Sequence, residues 1–391
     1  MIKVNIGGLQ EVIGKINLAV EKNSKMNPKS GWIEIKTVSE KYMKLRVSNY
    51  DYFVEAYVPI ECDDYNEENS IHATVVAETF IPLVSKLDAK VVTFDEVRNC
   101  LVLSSEQSEY TFPIIKEDGR VKTVDVIDFE GVPCMDTTLK GKEVVSIAES
   151  NAGGLVDATF SRDYQQYIYV DNDGAITFTE NIYVNEFENP KEDEPFKFLI
   201  NATQAKLLKI FDGFEDVKVS VEYSTDETFS SAKKVKIVGG EDSFSPISIV
   251  FVVQSDEMTS KFPAIRLREL AKNERMTHAI IDKRLLDKAL ARLMVFDKKF
   301  DKTVLDYSQL EFSEDSVILR SVKNKNFEKI PYTSYQNTVE HKSTIRFADL
   351  QNQLKAIKSN TVDVSYGDNK AIILNTEKLK QLIPEIREVE Q

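Results

Sequence analysis

Apolar and polar residues alternate with the period of an α-helix between positions 277 and 300. Arg284, Lys288 and Arg292 recur every four residues there, which places them together on one helix face. A second face is apolar and consists of Leu285, Leu286, Ala289, Leu290, Leu293 and Met294. Thr277 and Asp282 are candidate N-caps. The pattern predicts a helix with one buried and one basic face, and for a single helix the simplest interpretation of the basic face is contact with solvent.

The same arrangement recurs along the chain. Each predicted helix is followed by short strands, usually three, in which apolar and polar residues alternate as in half-buried antiparallel strands. Pro82 interrupts the second predicted helix and weakens that assignment, whereas Asn201 is a good N-cap for the fourth. The predicted helices span 8–22, 76–88, 139–149, 201–212, a segment starting at 281, and 347–358.

The helices fall into three pairs, and the two members of each pair begin about 60–70 residues apart. This fixed offset indicates three copies of one unit. We therefore predict an α+β fold of three repeated domains, each with two helices packed on antiparallel sheets, over residues 1–117, 118–261 and 262–391.

Composition narrows the functional classes. The 391 residues carry a net charge of −14, although an acidic average does not prevent a basic surface on one face. No apolar run approaches the roughly 20 residues of a membrane span, and the N-terminal residues lack the features of a signal peptide. Cys62, Cys100 and Cys134 are widely spaced, which predicts reduced thiols in a cytosolic compartment rather than a disulfide framework.

The sequence gives little support for an enzyme. His72, His278 and His341 do not lie in a zinc-binding spacing, and no glycine-rich phosphate-binding loop is present. Carboxylates are abundant throughout, so no pair stands out as a general acid and base. We expect a non-enzymatic protein without a cofactor or a metal ion.

Several segments resemble a known family. Phe262-Pro263-Ala264-Ile265, the helix over 285–296, the closing segments 347–357 and 362–367, and the terminal Leu382-Ile383-Pro384 are similar to the third domain of the bacterial-type sliding clamp, the beta subunit of DNA polymerase III. The resemblance extends over the whole chain. One family segment is much altered, since 178–184 keeps only a threonine and an acid. The chain resembles a divergent member, and a phage origin is a hypothesis that no residue tests.

The resemblance implies a mechanism. Two chains would close head to tail into a ring whose helices surround duplex DNA, and helix cations would meet phosphates loosely and without reading bases. Such a protein would work in the bacterial cytoplasm or in the cytoplasm of an infected host. The candidate DNA-binding residues are Lys15, Lys22, Lys25, Lys86, Lys142, Lys206, Lys209, Arg284, Lys288, Arg292, Lys355 and Lys358.

The resemblance also implies docking surfaces. The DNA polymerase and the clamp loader would bind a hydrophobic cleft, whose candidate residues are Thr179, Asn181, Ile182, Val184, Pro263, Leu267, Leu382, Ile383 and Pro384. The homodimer interface would use Tyr110, Phe112, Val295 and Phe296. For both sets the alternative is ordinary burial, at a domain junction or within one domain.

Two other functional classes stay open at this stage. One is a repeat-built structural or interaction protein, such as a virion component, that does not bind DNA. The other is an enzyme whose site assembles between repeated units.

Overall fold

The computed structural model describes residues 2–21, 27–62, 65–66, 70–129, 134–155, 160–188, 196–222, 233–241, 243, 245–272, 277–297, 308–321, 325–367 and 371–386. Its helices are α1 (Ile6–Ile16), α2 (Ala77–Val84), α3 (Gly141–Ser146), α4 (Ala202–Leu207), α5 (Asp256–Ser260), α6 (Ala264–Ala271), α7 (Lys283–Asp297) and α8 (Phe347–Ala356). Within the described residues, no helix has both the length and the apolar character that crossing a membrane requires.

The strands, in chain order, are β1 (Ile2–Asn5), β2 (Trp32–Thr37), β3 (Tyr42–Ser48), β4 (Tyr52–Glu61), β5 (His72–Val76), β6 (Val91–Val97), β7 (Cys100–Ser104), β8 (Glu109–Pro113), β9 (Lys116–Glu117), β10 (Arg120–Val121), β11 (Cys134–Lys140), β12 (Ile168–Asp171), β13 (Gly174–Phe178), β14 (Ile182–Glu186), β15 (Lys197–Ile200), β16 (Asp216–Glu222), β17 (Lys233–Gly239), β18 (Ile247–Val253), β19 (His278–Asp282), β20 (Ser308–Phe312), β21 (Ser316–Ser321), β22 (Phe327–Pro331), β23 (Ser334–Gln336), β24 (His341–Ile345), β25 (Thr361–Ser365), β26 (Ala371–Asn375) and β27 (Leu379–Pro384). The strand pairings are antiparallel.

The chain divides into two compact units. The first comprises Met1–Val145 and Lys206–Asp256, and the second comprises Ser146–Ala205 and Glu257–Gln391. Each unit therefore includes part of the second predicted domain, and the boundaries at 117/118 and 261/262 stay a prediction.

The first unit contains a twelve-stranded sheet, whose main path runs β11-β16-β17-β18-β4-β1-β6-β7-β8, with β2, β3 and β5 attached beside β4. Strand β4 joins β18 in the register Ala56↔Ile247. The side chain of Asn5 accepts a hydrogen bond from the amide of Gly8 at 3.1 Å and so begins α1. Helices α1 and α2 pack together, and their apolar faces are buried in the core of this unit.

The second unit contains a nine-stranded sheet in the order β15-β12-β13-β14-β27-β26-β25-β19-β23 and a four-stranded sheet in the order β22-β21-β20-β24. Strand β14 joins β27 in the register Ile182↔Leu382. Helices α7 and α8 pack together over a core that includes Leu290 and Leu354. The carboxylate of Asp282 accepts from the amide of Arg284 at 2.8 Å, so Asp282 rather than Thr277 caps α7.

The six predicted helices lie where the sequence placed them, but several of the observed helices are shorter than predicted. The first predicted helix ends at Ile16 rather than at residue 22, and α2 contains Pro82 but ends at Val84. The third begins as α3 and continues as irregular helical turns to Leu155. Helices α5 and α6 were not predicted. The sequence also predicts a strand at 303–307, and these residues lie outside the described part of the chain.

Candidate DNA-facing helices and partner cleft

The basic face predicted for α7 is on the surface. Arg284, Lys288 and Arg292 are exposed, while the opposite face is buried in the core. Arg292 donates two hydrogen bonds to the carboxylate of Glu328 on β22, at 2.7 and 2.8 Å. Arg284 lies 3.3 Å from the carboxylate of Asp282. Three of the predicted cations therefore share one exposed face, and two of them already contact an acid.

Helix α8 and the turn after it present two further predicted cations. The ammonium of Lys355 donates to the side-chain oxygen of Asn352 at 3.0 Å. Lys358 forms an ion pair with Glu149, which lies in the helical turn that follows α3. Both lysines are exposed, so the geometry permits contact with a ligand from solvent.

The predicted cations of the first unit are less uniform. Lys15 is largely buried, because its ammonium lies 4.1 Å from the centre of the Phe214 ring and 3.4 Å from the carboxylate of Glu11. The other described candidates in this unit, Lys86, Lys142, Lys206 and Lys209, are exposed. Lys22 and Lys25 lie outside the described residues. Among the candidates that the structure describes, Lys15 thus has the least room to reach a phosphate.

The residues predicted to line a partner cleft are mostly core residues. Thr179, Asn181, Ile182, Val184, Leu267, Leu382 and Ile383 are all buried. This burial agrees with the alternative that the sequence left open for these residues, ordinary burial at a domain junction. Its cause is the pairing of β14 with β27, over which α6 packs. As partner-binding residues they stay a prediction.

Aromatic stacking strengthens this core. The ring of Phe262 lies parallel to that of Tyr169, with 4.9 Å between centroids, and meets Tyr164 edge-on at 5.7 Å. Thr179 donates its hydroxyl to the carbonyl of Gly154 at 3.2 Å, so its polar group is satisfied inside the protein. Phe262, the first residue of the predicted third domain, is therefore part of this core.

The surface near this junction exposes two of the predicted cleft residues to different extents, since Pro384 is exposed and Pro263 is half-buried. It also includes two apolar residues on α6 that were not predicted to line the cleft. Ile265 on α6 is 78% exposed, and Leu270 on the same helix is also exposed. The amphipathic pattern of residues 264–271 is the sequence signal that could have identified this helix.

The four predicted dimer residues differ in exposure. Phe112 on β8 is buried and packs edge-on against Phe80, with 5.2 Å between centroids, so it belongs to the core of the first unit. Tyr110 is half-buried. Val295 on α7 is 59% exposed. The side chain of Phe296 lies outside the described residues.

Strands β8 and β22 are free edges of their sheets among the described strands. Both show the same burial pattern, in which one core residue precedes a terminal exposed proline, Pro113 or Pro331. Phe327 on β22 is exposed beside the guanidinium of Arg320 and was not predicted from the sequence.

The titratable side chains that could do chemistry have structural partners. His72 lies 3.1 Å from Glu34, His278 lies 2.9 Å from Asp363, and His341 lies 3.2 Å from Glu385. The three cysteines are free thiols. Among the described residues, no group of three or more His, Cys, Asp or Glu side chains is arranged to hold a metal ion.

A curated relative and several solved structures match this chain over 99–100% of its length. No protein-family model matches it. A curated relative, the beta sliding clamp of Mycoplasma genitalium, is 21% identical over 408 residues, which cover 99% of this chain and 98% of the relative. The DNA polymerase III beta subunit of Thermotoga maritima superposes with a TM-score of 0.73 at 13% identity, covering 100% of both chains. The sliding clamp of Bacillus subtilis gives 0.72 at 14% identity over 99% of both chains.

The chain has the fold of the DNA sliding clamps. The beta subunit of Streptococcus pyogenes, at a TM-score of 0.72 and 18% identity over 99% of this chain, agrees. The resemblance inferred from the sequence and the predicted α+β class are confirmed. The low identity also confirms that the chain is divergent from these sliding clamps.

Proposed function

We propose that this protein is a DNA sliding clamp, a ring-shaped processivity factor that encircles duplex DNA and tethers the replicative DNA polymerase. The observation that carries the proposal is the match of the sliding clamp fold from one end of the chain to the other. The role is non-enzymatic, because a clamp acts by holding its partners on DNA.

The exposed helix cations fit such a role. Lys206, Lys209 and Lys288 are exposed. Exposed positive charge is sufficient for sequence-independent contact with phosphates. A ring that holds DNA by its topology needs no tight binding. The net charge of −14 disfavours DNA binding to the rest of the surface.

Ring closure requires two chains. The free edges β8 and β22 would pair in a head-to-tail homodimer, and this pairing would satisfy backbone groups that an isolated edge leaves unpaired. Tyr110 and Val295 would lie at this interface. The replicative polymerase and the clamp loader would dock beside the exposed Pro384, at the surface of the β14–β27 junction. The protein would act in the bacterial cytoplasm or in that of an infected host.

Retention on circular DNA tests the proposal. The protein is loaded onto nicked circular plasmid, washed at high salt, and followed by gel filtration before and after the plasmid is cut. A topologically held ring stays on the circle at high salt and is lost from the linear form, since electrostatic binding alone weakens steeply with salt. Equal loss from both forms would contradict the proposal and favour a repeat-built structural protein.

The proposed DNA-facing position of α7 has its own test. Charge reversal at Arg284, Lys288 and Arg292 together is expected to reduce loading and processive primer extension while leaving the fold intact. Unchanged primer extension would remove these three residues from the DNA-facing set without affecting the result on circular DNA.

A further inference from the structure

Two of the exposed helix cations are held by glutamates from neighbouring elements. Arg292 on α7 pairs with Glu328 on β22, and Lys358 after α8 pairs with Glu149 in the turn that follows α3. The cations are largely exposed, whereas each glutamate is only partly exposed. In each pair the glutamate is therefore the more enclosed partner and the cation is the more exposed one.

The position of Glu328 follows from strand alternation. Ile330, two residues further along β22, is buried in the core beneath α7 and α8, so Glu328 faces the same side. The hydrogen bonds from Arg292 lower the pKa of Glu328, so its carboxylate is ionised at neutral pH. Arg292 thus meets a permanent negative charge on the helix side of the sheet.

Other candidate DNA-binding cations differ in their contacts with acidic side chains. Lys206, Lys209 and Lys288 are exposed, and no described acidic side chain lies within ion-pair distance of them. The candidate DNA-binding residues therefore include two kinds of cation: those with no described carboxylate at ion-pair distance, and those that must leave a carboxylate before they contact a phosphate.

We propose that Glu149 and Glu328 moderate DNA binding by competing with phosphate for Lys358 and Arg292. This inference rests on the proposed sliding clamp function. A phosphate that contacts either cation must replace a carboxylate, so the gain from each contact is small. Exposed ion pairs are weak and exchange readily, so the contact is weakened rather than abolished. Weak contacts suit a ring that has to move along DNA.

The test measures binding of the full-length protein to a short linear duplex by fluorescence anisotropy over a series of salt concentrations. Glu149→Gln and Glu328→Gln are each expected to bind DNA about 2- to 5-fold more tightly at low salt, with a slope of log K against log salt that is steeper by up to about one. The double variant Arg292→Gln/Glu328→Gln should lose the gain, because no cation is freed.

Glu311→Gln is the matched control. Glu311 on β20 accepts two hydrogen bonds from Arg320 on β21, both at 3.0 Å, so the variant also frees an arginine and changes the net charge equally. Leu319 is in the core, and strand alternation places Arg320 on the opposite face of the sheet from α7 and α8. We expect little change in DNA binding for this variant.

The outcomes separate clearly. A similar gain in Glu311→Gln, or no gain in either test variant, overturns the inference. Native mass spectrometry of Glu328→Gln checks that dimer formation through β22 is unaffected. Glu149→Gln tests the competition between carboxylate and phosphate at an ion pair that does not involve β22. Retention of the unmodified protein on circular DNA decides the proposed function separately.

Discussion

Arg268 on α6 makes two hydrogen bonds to the carboxylate of Asp171 on β12, at 2.8 and 2.5 Å, and both side chains are largely buried. Burial alone would lower the pKa of Arg268, but the hydrogen bonds and the charges of Asp171 and Asp173 outweigh it and raise that pKa. Because α6 packs on β14 and β27, this pair ties the helix to the nine-stranded sheet.

Removing this guanidinium should destabilise the second unit. Arg268→Ala leaves the carboxylate of Asp171 without its main partner, and we expect a loss of about 2–3 kcal/mol, somewhat below the roughly 3–5 kcal/mol measured for fully buried pairs. Lys261→Ala, which breaks the exposed pair with Glu257, is the control and should change stability by about 0.5 kcal/mol or less. Urea unfolding measures both, and equal midpoints would contradict the assignment.

A second prediction concerns the two faces of α7. Leu290 is fully buried, whereas Leu285 on the same helix is 46% exposed. Leu290→Ala should cost about 2–5 kcal/mol through lost burial and the cavity that it leaves, and Leu285→Ala about 0.5 kcal/mol. Thermal or urea unfolding of the two variants measures the difference. Similar losses would mean that the helix faces are wrongly assigned.

The sequence predicted this helix well because its signal is local. Helical spacing alone identifies the buried face, which includes Leu286, Leu290 and Leu293, and Asp282 was a candidate cap. Leu285 was predicted in the apolar stripe but lies at its edge, where the core no longer covers it. The error is one of extent and not of position.

Features that depend on distant parts of the chain could not be predicted. A side chain at Gly141 would place its Cβ 2.0 Å from the carbonyl oxygen of Phe214, so this glycine is required by a contact formed on folding. The ring of Phe214 also lies against the ammonium of Lys15, which was predicted to face DNA. Neither relationship leaves a local pattern.

The candidate cleft illustrates the same limit. The resemblance located Ile182 and Leu382 at a junction, and they are paired directly across β14 and β27. It could not give their exposure, because the burial of both side chains depends on strands about 200 residues apart and on α6. Residue type and motif position located the candidate cleft at the β14–β27 junction. The exposure of each side chain depends on tertiary packing, which the sequence does not show.

A third prediction concerns acid stability. Glu55 on β4 is largely buried and accepts from Arg46 at 2.6 Å and from Tyr57 at 2.9 Å. Burial alone would raise the pKa of Glu55, but these hydrogen bonds and the charges of Arg46 and Lys44 outweigh it, so the pKa is lowered.

A lowered pKa in the folded state means that the unfolded state binds the proton more tightly. The stability contributed by Glu55 is therefore fully present above its unfolded-state pKa, near 4.5, and is lost as the pH falls through the lower folded-state value. Urea unfolding across this range should show the loss, and Glu55→Gln should make the profile shallower. An unchanged profile would assign the acid sensitivity to other carboxylates.

A fourth prediction concerns the segment after β27. The carboxylate of Glu385 accepts from the hydroxyl of Ser343 at 2.8 Å and lies 3.2 Å from His341, and the amide of Ile386 donates to the carbonyl of Thr344 at 2.8 Å. Glu385→Ala should release this segment from β24, since the polar anchor is lost.

Hydrogen exchange at the amide of Ile386 measures the release, and we expect it to be about 10-fold faster or more, which corresponds to about 1.4 kcal/mol or more. Glu377→Ala, at an exposed turn before β27, is the control and should leave the rate unchanged. Protection of Ile386 that persists in Glu385→Ala would mean that the backbone bond alone holds the segment.

The last prediction concerns ring closure. Val295 is 59% exposed on α7, the same helix on which Leu286, Leu290 and Leu293 are buried, so an apolar side chain is left uncovered near the end of α7. In the proposed head-to-tail dimer, Val295 would lie in the interface between the two chains. Val295→Asp places a charge in that interface and should raise the dimer dissociation constant by about 10-fold or more, because an unpaired carboxylate would be buried.

The control variant is Val339→Asp, which makes the same substitution at a valine that is 50% exposed and lies outside both proposed edge strands. Native mass spectrometry across a dilution series compares the two variants. If both stay as dimeric as the unmodified protein, Val295 does not belong to the interface, and if both dissociate alike, the effect comes from added charge and not from the contact.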